Sequence, residues 1–457
     1  MRAILPEKLH ILAKNCPTPL YVVGGSVRDH LANLTPLSAL ARDWDICAPL
    51  SAERFVQAAQ NSGFSVKAVY KNTGTVKLQD ENGVDYEYSS FRSDRYVRGT
   101  HVPVEIFFTE DILLDARRRD FTANAVYYDI AADRFVDPLN GIDAIKDKRF
   151  TTVDRAEKVF GEDGLRLMRL ARQAAQTGFY PDTECLRGAT QNAALIADIS
   201  PERIFSELTS ILCADEKYGV TGGAYQGLKL LDKTNVLAFI LPELHLGKDM
   251  LQRPDFHKYD VLEHSLRAVK YAQPNIRLAA LLHDVGKPFC KLRDGNSYDH
   301  PVEGERIAKE ILQRLKAPKK LTEHVCALVR WHMYDFDCQT NENKLRRFFV
   351  TNENILHDLL AIKQADFSAC ADDLSAAPTC VRWHTILQKM QMENVPFRVK
   401  QLCVSGADLI EAGITPALVS EVLRRLLLHL SVHPKENEKQ RLLRLAKGFE
   451  NDLQSTK

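Results

Sequence analysis

At 457 residues the chain exceeds one ordinary domain, and at roughly 100 to 200 residues per domain it should hold three or four units, each with its own core. Hydrophobic content of 45% and charged content of 26% match average globular usage, and no apolar run approaches the roughly 20 residues of a membrane-crossing helix. A net charge of +1 excludes both a nonspecific basic nucleic-acid coat and an acidic tail, so any nucleic-acid surface must be a local patch.

The N-terminal MRAILPEKLHILAKN lacks the apolar core and cleavage site of a secretory signal. The 10 cysteines, spread from Cys16 to Cys403, include no CxxC pair, so the chain reads as cytosolic with reduced thiols. Up to about Asp154 the pattern is mixed α/β. TVKLQDENGVDYEYSS reads as two alternating strands joined by a two-residue Asn82-Gly83 turn, and NAVYYDIAADRFVDP as a second hairpin. From Arg155 onward apolar residues recur at helical spacing, as in Leu165, Met168, Leu170 and Ala174. Joints fall near Ser200-Pro201, Leu241-Pro242 and Pro254, because proline disfavours helix in the residue before it.

The chemistry-bearing residues follow in the same order. YVVGGSVRDHL sets a strand before Gly24-Gly25 and a helix with Arg28, where close backbone approach and free N–H groups suit phosphate. RDWDICAP puts Asp43 and Asp45 two apart in a strand, so both carboxylates share a face and could hold a Mg2+ pair about 4 Å apart. Asp85 and Glu87 share a face of the next hairpin, and either could complete that site. In DARRRDFTANAV, Arg118 and Arg119 can neutralise phosphate while Asp120 and Asn124 can bond ribose hydroxyls. Each signal taken alone reads more simply as an ordinary turn, strand edge or charged loop.

Taken together, GGSVRD, DWDI, EYSSFR and RRRDFTANA resemble the head of the CCA-adding enzymes and bacterial poly(A) polymerases, in the polymerase β-like nucleotidyltransferase superfamily. The resemblance implies that Asp43 and Asp45 are metal ligands and that Glu87, rather than Asp85, is the supporting carboxylate. It also implies that Arg119 and Asp120 meet the incoming nucleotide, with Gly25, Arg28 and Asn124 in the same site. FGEDGLRLMRLARQAAQTGF resembles the family's EDxxR motif. Placed three apart on one helix face, Asp163 could accept from the amino group of cytosine or adenine and Arg166 could donate to the ring nitrogen, whereas U and G present the reverse pattern. A helix-start acid in an i,i+3 salt bridge is the simpler alternative. Arg169 continues the arginine stripe, toward phosphate or toward solvent.

A second set lies between Asp255 and Asp366: His264, His283 with Asp284 in an apolar helix, His300, His332 and Asp366. Imidazole with carboxylate suits a hydrolytic transition-metal site. The spacing resembles the HD superfamily of phosphohydrolases, with His264, His283, Asp284 and Asp366 at its defining positions. His300 and His332 match the extra histidines of members that hold two metals. Lys287 could attract substrate phosphate or simply be exposed.

The expected fold is therefore α+β: a mixed-sheet nucleotidyltransferase head over 1–154, a helical neck and body over 155–250, an HD domain over 251–378 and a helical tail over 379–457. The resemblance implies tRNA, CTP and ATP as partners, Mg2+ in the head, and an ion of the Ni2+, Co2+ or Mn2+ class in the HD domain. Neither a membrane nor an oligomeric state is indicated. Competing readings are a poly(A) polymerase, an enzyme adding only CC or only A, and a nucleotide-sensing regulator with an inactive head. The missing basic extension and GRRF-like segment weigh against the first, and the intact Asp43, Asp45 and Glu87 against the last. SDRYVRGTHVPVEI, between Arg92 and Ile106, resembles a shortened form of the loop needed for the switch to A, which favours full CCA addition.

Overall fold

A computed structural model describes residues 1, 4–35, 44–97, 103–255 and 257–455. Two compact units are present, Met1–Leu246 with Ile311–Ala317, and Gly247–Glu310 with Pro318–Lys457. All described strands lie in the first unit, and the second is helical, which makes the chain α+β. No described helix is long and apolar enough to cross a membrane.

The head strands are β1 (Tyr21–Val23), β2 (Trp44–Ala48), β3 (Ser65–Tyr70), β4 (Thr75–Gln79), β5 (Asp85–Ser90), β6 (Arg92–Arg95), β7 (Glu105–Phe108), β8 (Tyr127–Asp129) and β9 (Arg134–Val136). β6 and β7 pair with each other, and the other seven form one mixed sheet in the order β3-β4-β5-β2-β1-β8-β9. Period-two alternation sorts its two faces. Trp44, Ile46, Tyr86 and Tyr88 are buried, and Phe55 of the helix Ala52–Asn61 stacks on Tyr88 with ring centroids 3.5 Å apart. Each buried aromatic of this kind contributes about 1.5 to 3 kcal/mol. Asp45 and Glu87, the alternate residues, are exposed on the opposite face.

The β4–β5 hairpin forms where expected, but its turn is longer than two residues. The last cross-strand pair is Gln79 with Asp85, and the Asp80 carboxylate accepts from the backbone N–H groups of Asn82 and Val84, both at 2.9 Å. An aspartate that bonds the backbone ahead of it builds a wider loop than the Asn-Gly dipeptide alone demands. β8 and β9 form the second hairpin as read.

In the helical part, Pro201 opens the helix Pro201–Leu212 as expected, although the Ser200 side chain makes no capping bond. The helix Leu165–Thr177 buries Met168 and Leu170 and leaves Leu165 and Ala174 half-buried. The last helices, Val419–Leu430 and Lys439–Ser455, bury Leu426, Leu430, Leu442 and Ala446, while Arg424 pairs with Glu421 on the outer face at 2.6 Å. No disulfide joins any of the ten cysteines.

Candidate functional sites

A cleft of about 870 Å3 opens on the exposed face of the head sheet. Asp45 and Glu87 line it from neighbouring parallel strands, where the two residues are direct register partners. Gly24, between β1 and the helix Gly25–Leu31, has φ +82°, and a Cβ there would stand 2.9 Å from Asp45 Oδ2. The backbone can press on the carboxylate only because position 24 has no side chain. Lys77 Nζ stands 3.9 Å from Glu87 Oε2.

The opposite wall is a network of buried polar side chains. Arg28 donates to Asp29 Oδ1 (2.8 Å), Asn124 Oδ1 (2.8 Å) and Gln173 Oε1 (2.7 Å). Asp120 accepts from the Asn124 amide (2.8 Å), its neighbour's backbone N–H (Phe121, 2.8 Å) and Arg169 Nε (2.9 Å). Burial works to raise the Asp120 pKa, but Arg169 and Asn124 hold it well below the usual carboxylate range. Arg119 donates to Asp115 Oδ2 at 3.0 Å and to the Tyr127 hydroxyl at 3.1 Å. Arg166 lies in the first turn of the helix Leu165–Thr177. Its guanidinium donates to Val159 O (2.9 Å), Glu162 Oε2 (3.1 Å) and Arg118 O (2.7 Å), and its carbon sits 5.7 Å from the Tyr96 ring centroid.

The helical unit holds a second cluster with a different logic. The helix Val261–Tyr271 carries His264 and the helix Leu356–Ala371 carries Asp366. His283 and His332 close the helices Arg277–Leu282 and Lys319–Trp331, while His300 opens His300–Arg314. His264, His283, Asp284, His300 and His332 are all buried, and the Asp366 side chain keeps 21% exposure. Nδ1 of His283, His300 and His332 lies 2.8, 2.6 and 2.7 Å from the carbonyls of Ala280, Ser297 and Val329. A carbonyl only accepts, so each Nδ1 carries the hydrogen and each Nε2 presents its lone pair inward.

Those inward nitrogens meet. His264 Nε2 is 3.1 Å from His283 Nε2, and His300 Nε2 is 3.2 Å from His332 Nε2. Asp284 bridges the pairs: Oδ2 lies 3.4 and 3.3 Å from the first, Oδ1 3.2 and 3.6 Å from the second. Asp366 Oδ1 adds to the first pair at 3.0 and 3.4 Å. Neither oxygen of the buried Asp284 receives a well-directed hydrogen bond. Two lone-pair nitrogens facing each other across a buried carboxylate are costly unless a cation sits among them, so the donor set fits two divalent ions sharing Asp284. Without an ion the strain shows as split proton affinities. Burial disfavours charge on both His283 and His332, yet Asp284 and Asp366 push His283 up to about 10, whereas burial and the neighbouring His283 push His332 down to about 4.

Comparison with known proteins matches both regions of the chain. Residues 20–151 match the family profile described as poly A polymerase head domain, 178–247 the probable RNA and SrmB-binding site of polymerase A, and 261–366 the HD domain. The A-adding tRNA nucleotidyltransferase of Deinococcus radiodurans is 31% identical over 431 residues, spanning 90% of this chain and 91% of that one. The chain belongs to the tRNA nucleotidyltransferase family. The CC-adding tRNA nucleotidyltransferase of Thermus thermophilus is 30% identical over 369 residues, 77% of this chain and 76% of its own. The crystal structure of the Bacillus stearothermophilus CCA-adding enzyme in complex with CTP shares the fold, with TM-score 0.68 and 24% identity over 99% and 98% of the two chains.

As a tRNA nucleotidyltransferase with an HD domain, the chain brings Asp45, Glu87, Gly25, Arg28, Arg119, Asp120, Asn124, Asp163, Arg166 and Arg169 to one cleft. Asp43 lies outside the described residues, as do parts of the segments preceding it and following Val97. Several local expectations change. Asp163 is not on one helix face with Arg166: it ends the helix Ala156–Glu162 in extended geometry, and its carboxylate accepts from Leu165 N. Arg166 pairs with Glu162, so neither a shared face nor an i,i+3 salt bridge describes the pair. Arg169 pairs with Asp120 at 2.7 Å while its side chain stays 41% exposed. His283 and Asp284 occupy a turn rather than a helix interior, since the helix ends at Leu282. Lys287 is half-buried rather than simply exposed; its Nζ is 2.6 Å from Asp284 Oδ2. Sequence reasoning also passed over Asp115, Gln173 and Gly286. The spacing of Asp115 from Arg118 and Arg119 was the available signal. A Cβ on Gly286 would meet His300 O at 2.3 Å, which is how the His283-Asp284 turn packs against the helix of His300.

Proposed function

We propose that this chain completes or repairs the 3′-terminal CCA of tRNA from CTP and ATP, and that its HD centre hydrolyses phosphate esters such as terminal or 2′,3′-cyclic phosphates. The observation that carries the first part is the cleft itself, which gathers a carboxylate edge, a guanidinium-lined wall and the Asp163–Arg166 pair in about 870 Å3. The names of the relatives support nucleotide addition to tRNA, and the CCA-adding enzyme bound to CTP supports addition of the whole CCA. We also divide the chain functionally into head (1–154), neck and body (155–250), HD domain (251–378) and tail (379–457).

Asp43, Asp45 and Glu87 would hold Mg2+, which neutralises the triphosphate and favours ionisation of the attacking 3′-hydroxyl. Gly24 sets Asp45 against the helix that presents Gly25 and Arg28. Arg119 and Arg169, locked by Asp115 and Asp120, supply fixed positive charge along the path of the triphosphate, so little reorganisation is needed when pyrophosphate leaves. Arg166 is held in one plane by Glu162 and two carbonyls, and from there donates to the ring nitrogen of C or A while Asp163 accepts from the exocyclic amine. At the HD centre the six imidazole and carboxylate ligands favour ions of the Ni2+, Co2+ or Mn2+ class.

The test is incubation with labelled CTP or ATP and tRNA transcripts ending before CCA, after C, or after CC. Stepwise extension through A is expected. A-only or CC-only addition, the activities in the names of two relatives, would narrow the reading to part of the sequence. Arg166→Ala should lose roughly one to two decades of preference for C and A over U and G, the worth of about 1 to 3 kcal/mol for a paired base contact. Unchanged selectivity would assign Arg166 to structure alone.

A further inference from the structure

We infer that His257, His264 and Cys370 form a separate site for one thiophilic divalent ion of the zinc class, set against the HD centre and sharing His264 with it. The inference rests on the reading of the HD cluster as a metal centre only in that His264 turns Nε2 toward that cluster.

His264 is fully buried, and its Nε2 is committed to His283, Asp284 and Asp366. Its other nitrogen, Nδ1, is buried and has no hydrogen-bond partner among the described residues. The three histidines across the cluster each anchor Nδ1 on a backbone carbonyl, so His264 is the exception within its own centre. A second orphan lies beside it. Nδ1 of His257 is likewise buried and unpartnered, and the two rings stand 5.0 Å apart at an interplanar angle of 88°. Cys370, one helical turn after Asp366, completes the group: one donor atom from each of His257, His264 and Cys370 lies within 4.8 Å of the other two.

Two orphaned Nδ1 atoms on rings 5.0 Å apart, on residues that each bring a donor atom within 4.8 Å of a shared thiol group, are poorly explained by packing. A buried polar atom without a partner is destabilising, and two of them side by side compound the cost unless something is bound between them. A direct hydrogen bond does not relieve it, since neither Nδ1 has a partner. Two nitrogens and a sulfur are the donor set of zinc-class ions and are poor for Mg2+. Cys370 Sγ contacts Asp366 O at 3.4 Å, which accounts for its S–H but leaves the sulfur lone pairs for an ion. Binding would release the thiol proton of Cys370 and the Nδ1 proton of His264 to solvent. His264 would then bridge this ion and the HD centre. The Lys287 ammonium nearby is already compensated by Asp284, so it does not set an unpaired positive charge against the site.

The test uses the full chain stripped of metal and titrated with Co2+. The HD ligands contain no sulfur, so a thiolate-to-cobalt charge-transfer band in the near ultraviolet reports Cys370 and not the HD centre. The wild type should show that band together with the visible bands of nitrogen- and oxygen-bound cobalt. Cys370→Ser should lose the charge-transfer band and keep the visible bands. His257→Ala, at a half-buried position, provides a second variant should Cys370→Ser fail to fold, and should weaken the charge-transfer band or abolish it. Zinc bound after dialysis should fall by one equivalent per chain in either variant. Visible bands without charge transfer in the wild type overturn the site and leave the HD reading standing. A charge-transfer band that survives in a folded Cys370→Ser protein, or equal zinc content in all three proteins, also overturns it. No cobalt spectrum of either kind would overturn both readings.

Discussion

The head cleft and the HD centre are both built from charged side chains, but they balance charge in opposite ways. In the cleft, guanidinium meets carboxylate: Arg28 with Asp29, Arg119 with Asp115, and Arg169 with Asp120. In the HD centre acceptors crowd together, with imidazole nitrogens 3.1 to 3.2 Å apart around Asp284, whose Oδ2 has the Lys287 ammonium 2.6 Å away. A self-compensated wall keeps its shape without ligand and offers preorganised charge to a mobile substrate. An acceptor-rich pocket keeps its shape only with a cation inside it. The first suits a surface that a ligand enters and leaves, and the second suits a site that holds an ion.

The sharpest way to separate them is to remove one carboxylate from the head. Asp45→Asn should lower nucleotide addition by about three decades or more, since a metal-ligand carboxylate supports several kcal/mol of transition-state stabilisation, and about 4 kcal/mol is three decades. Metal content and phosphatase activity of the HD unit should not change. Parallel loss of both activities in a well-folded variant would show that the two centres are coupled.

The second test acts on the HD centre. If its acceptors need an ion, chelation should lower the thermal transition of the helical unit. The change should correspond to about 3 kcal/mol at an ion concentration about a hundred times the dissociation constant. Scanning calorimetry with and without chelator measures this. Asp284→Asn should make the transition indifferent to chelator, while CCA addition in Mg2+ stays near its original rate. A wild-type transition unmoved by chelator would mean that the buried acceptors are satisfied by protons, as the raised His283 would allow.

The same contrast decides what was legible in the sequence. The HD ligands could be placed because their residue types are rarely buried together for any other reason. What the sequence could not show was their setting, with His283 and Asp284 in a turn and Gly286 admitting the backbone of His300 at 2.3 Å. In the head, short motifs in register located the cleft, but the bonds within it were not visible. Arginine pairs with whichever acid the fold brings near, and that choice is tertiary. Arg166 therefore found Glu162 and two carbonyls rather than Asp163, and Arg169 found Asp120 across 49 residues. The Asn82-Gly83 turn shows the same limit at short range, because Asp80 two residues earlier captured the backbone donors and lengthened the loop.

The smallest expected effect concerns acid. Asp115 is fully buried, 2.8 Å from Arg118 Nε, 3.0 Å from an Arg119 NH2 and 2.7 Å from the Tyr127 hydroxyl. Burial by itself would raise its pKa, but Arg119, Arg118 and Tyr127 outweigh burial and hold it at about 2, against 3.8 for the free side chain. A carboxylate with a depressed folded pKa contributes stability that is complete above the unfolded value and fades as pH falls toward the folded one. At about 1.4 kcal/mol per unit, that contribution is about 2 kcal/mol at neutral pH and disappears between about pH 4 and about pH 2. Asp115→Asn should therefore unfold more easily than the wild type at neutral pH, and the gap in urea-unfolding free energy should close across that window. The HD centre should respond to acid differently: protons there compete with the ion for His283, so acid sensitivity in that unit should weaken as metal is added, whereas the Asp115 window should not depend on metal. A gap for Asp115→Asn that persists undiminished below about pH 2 would assign its cost to packing rather than to the ion pairs that hold Arg119 at the cleft.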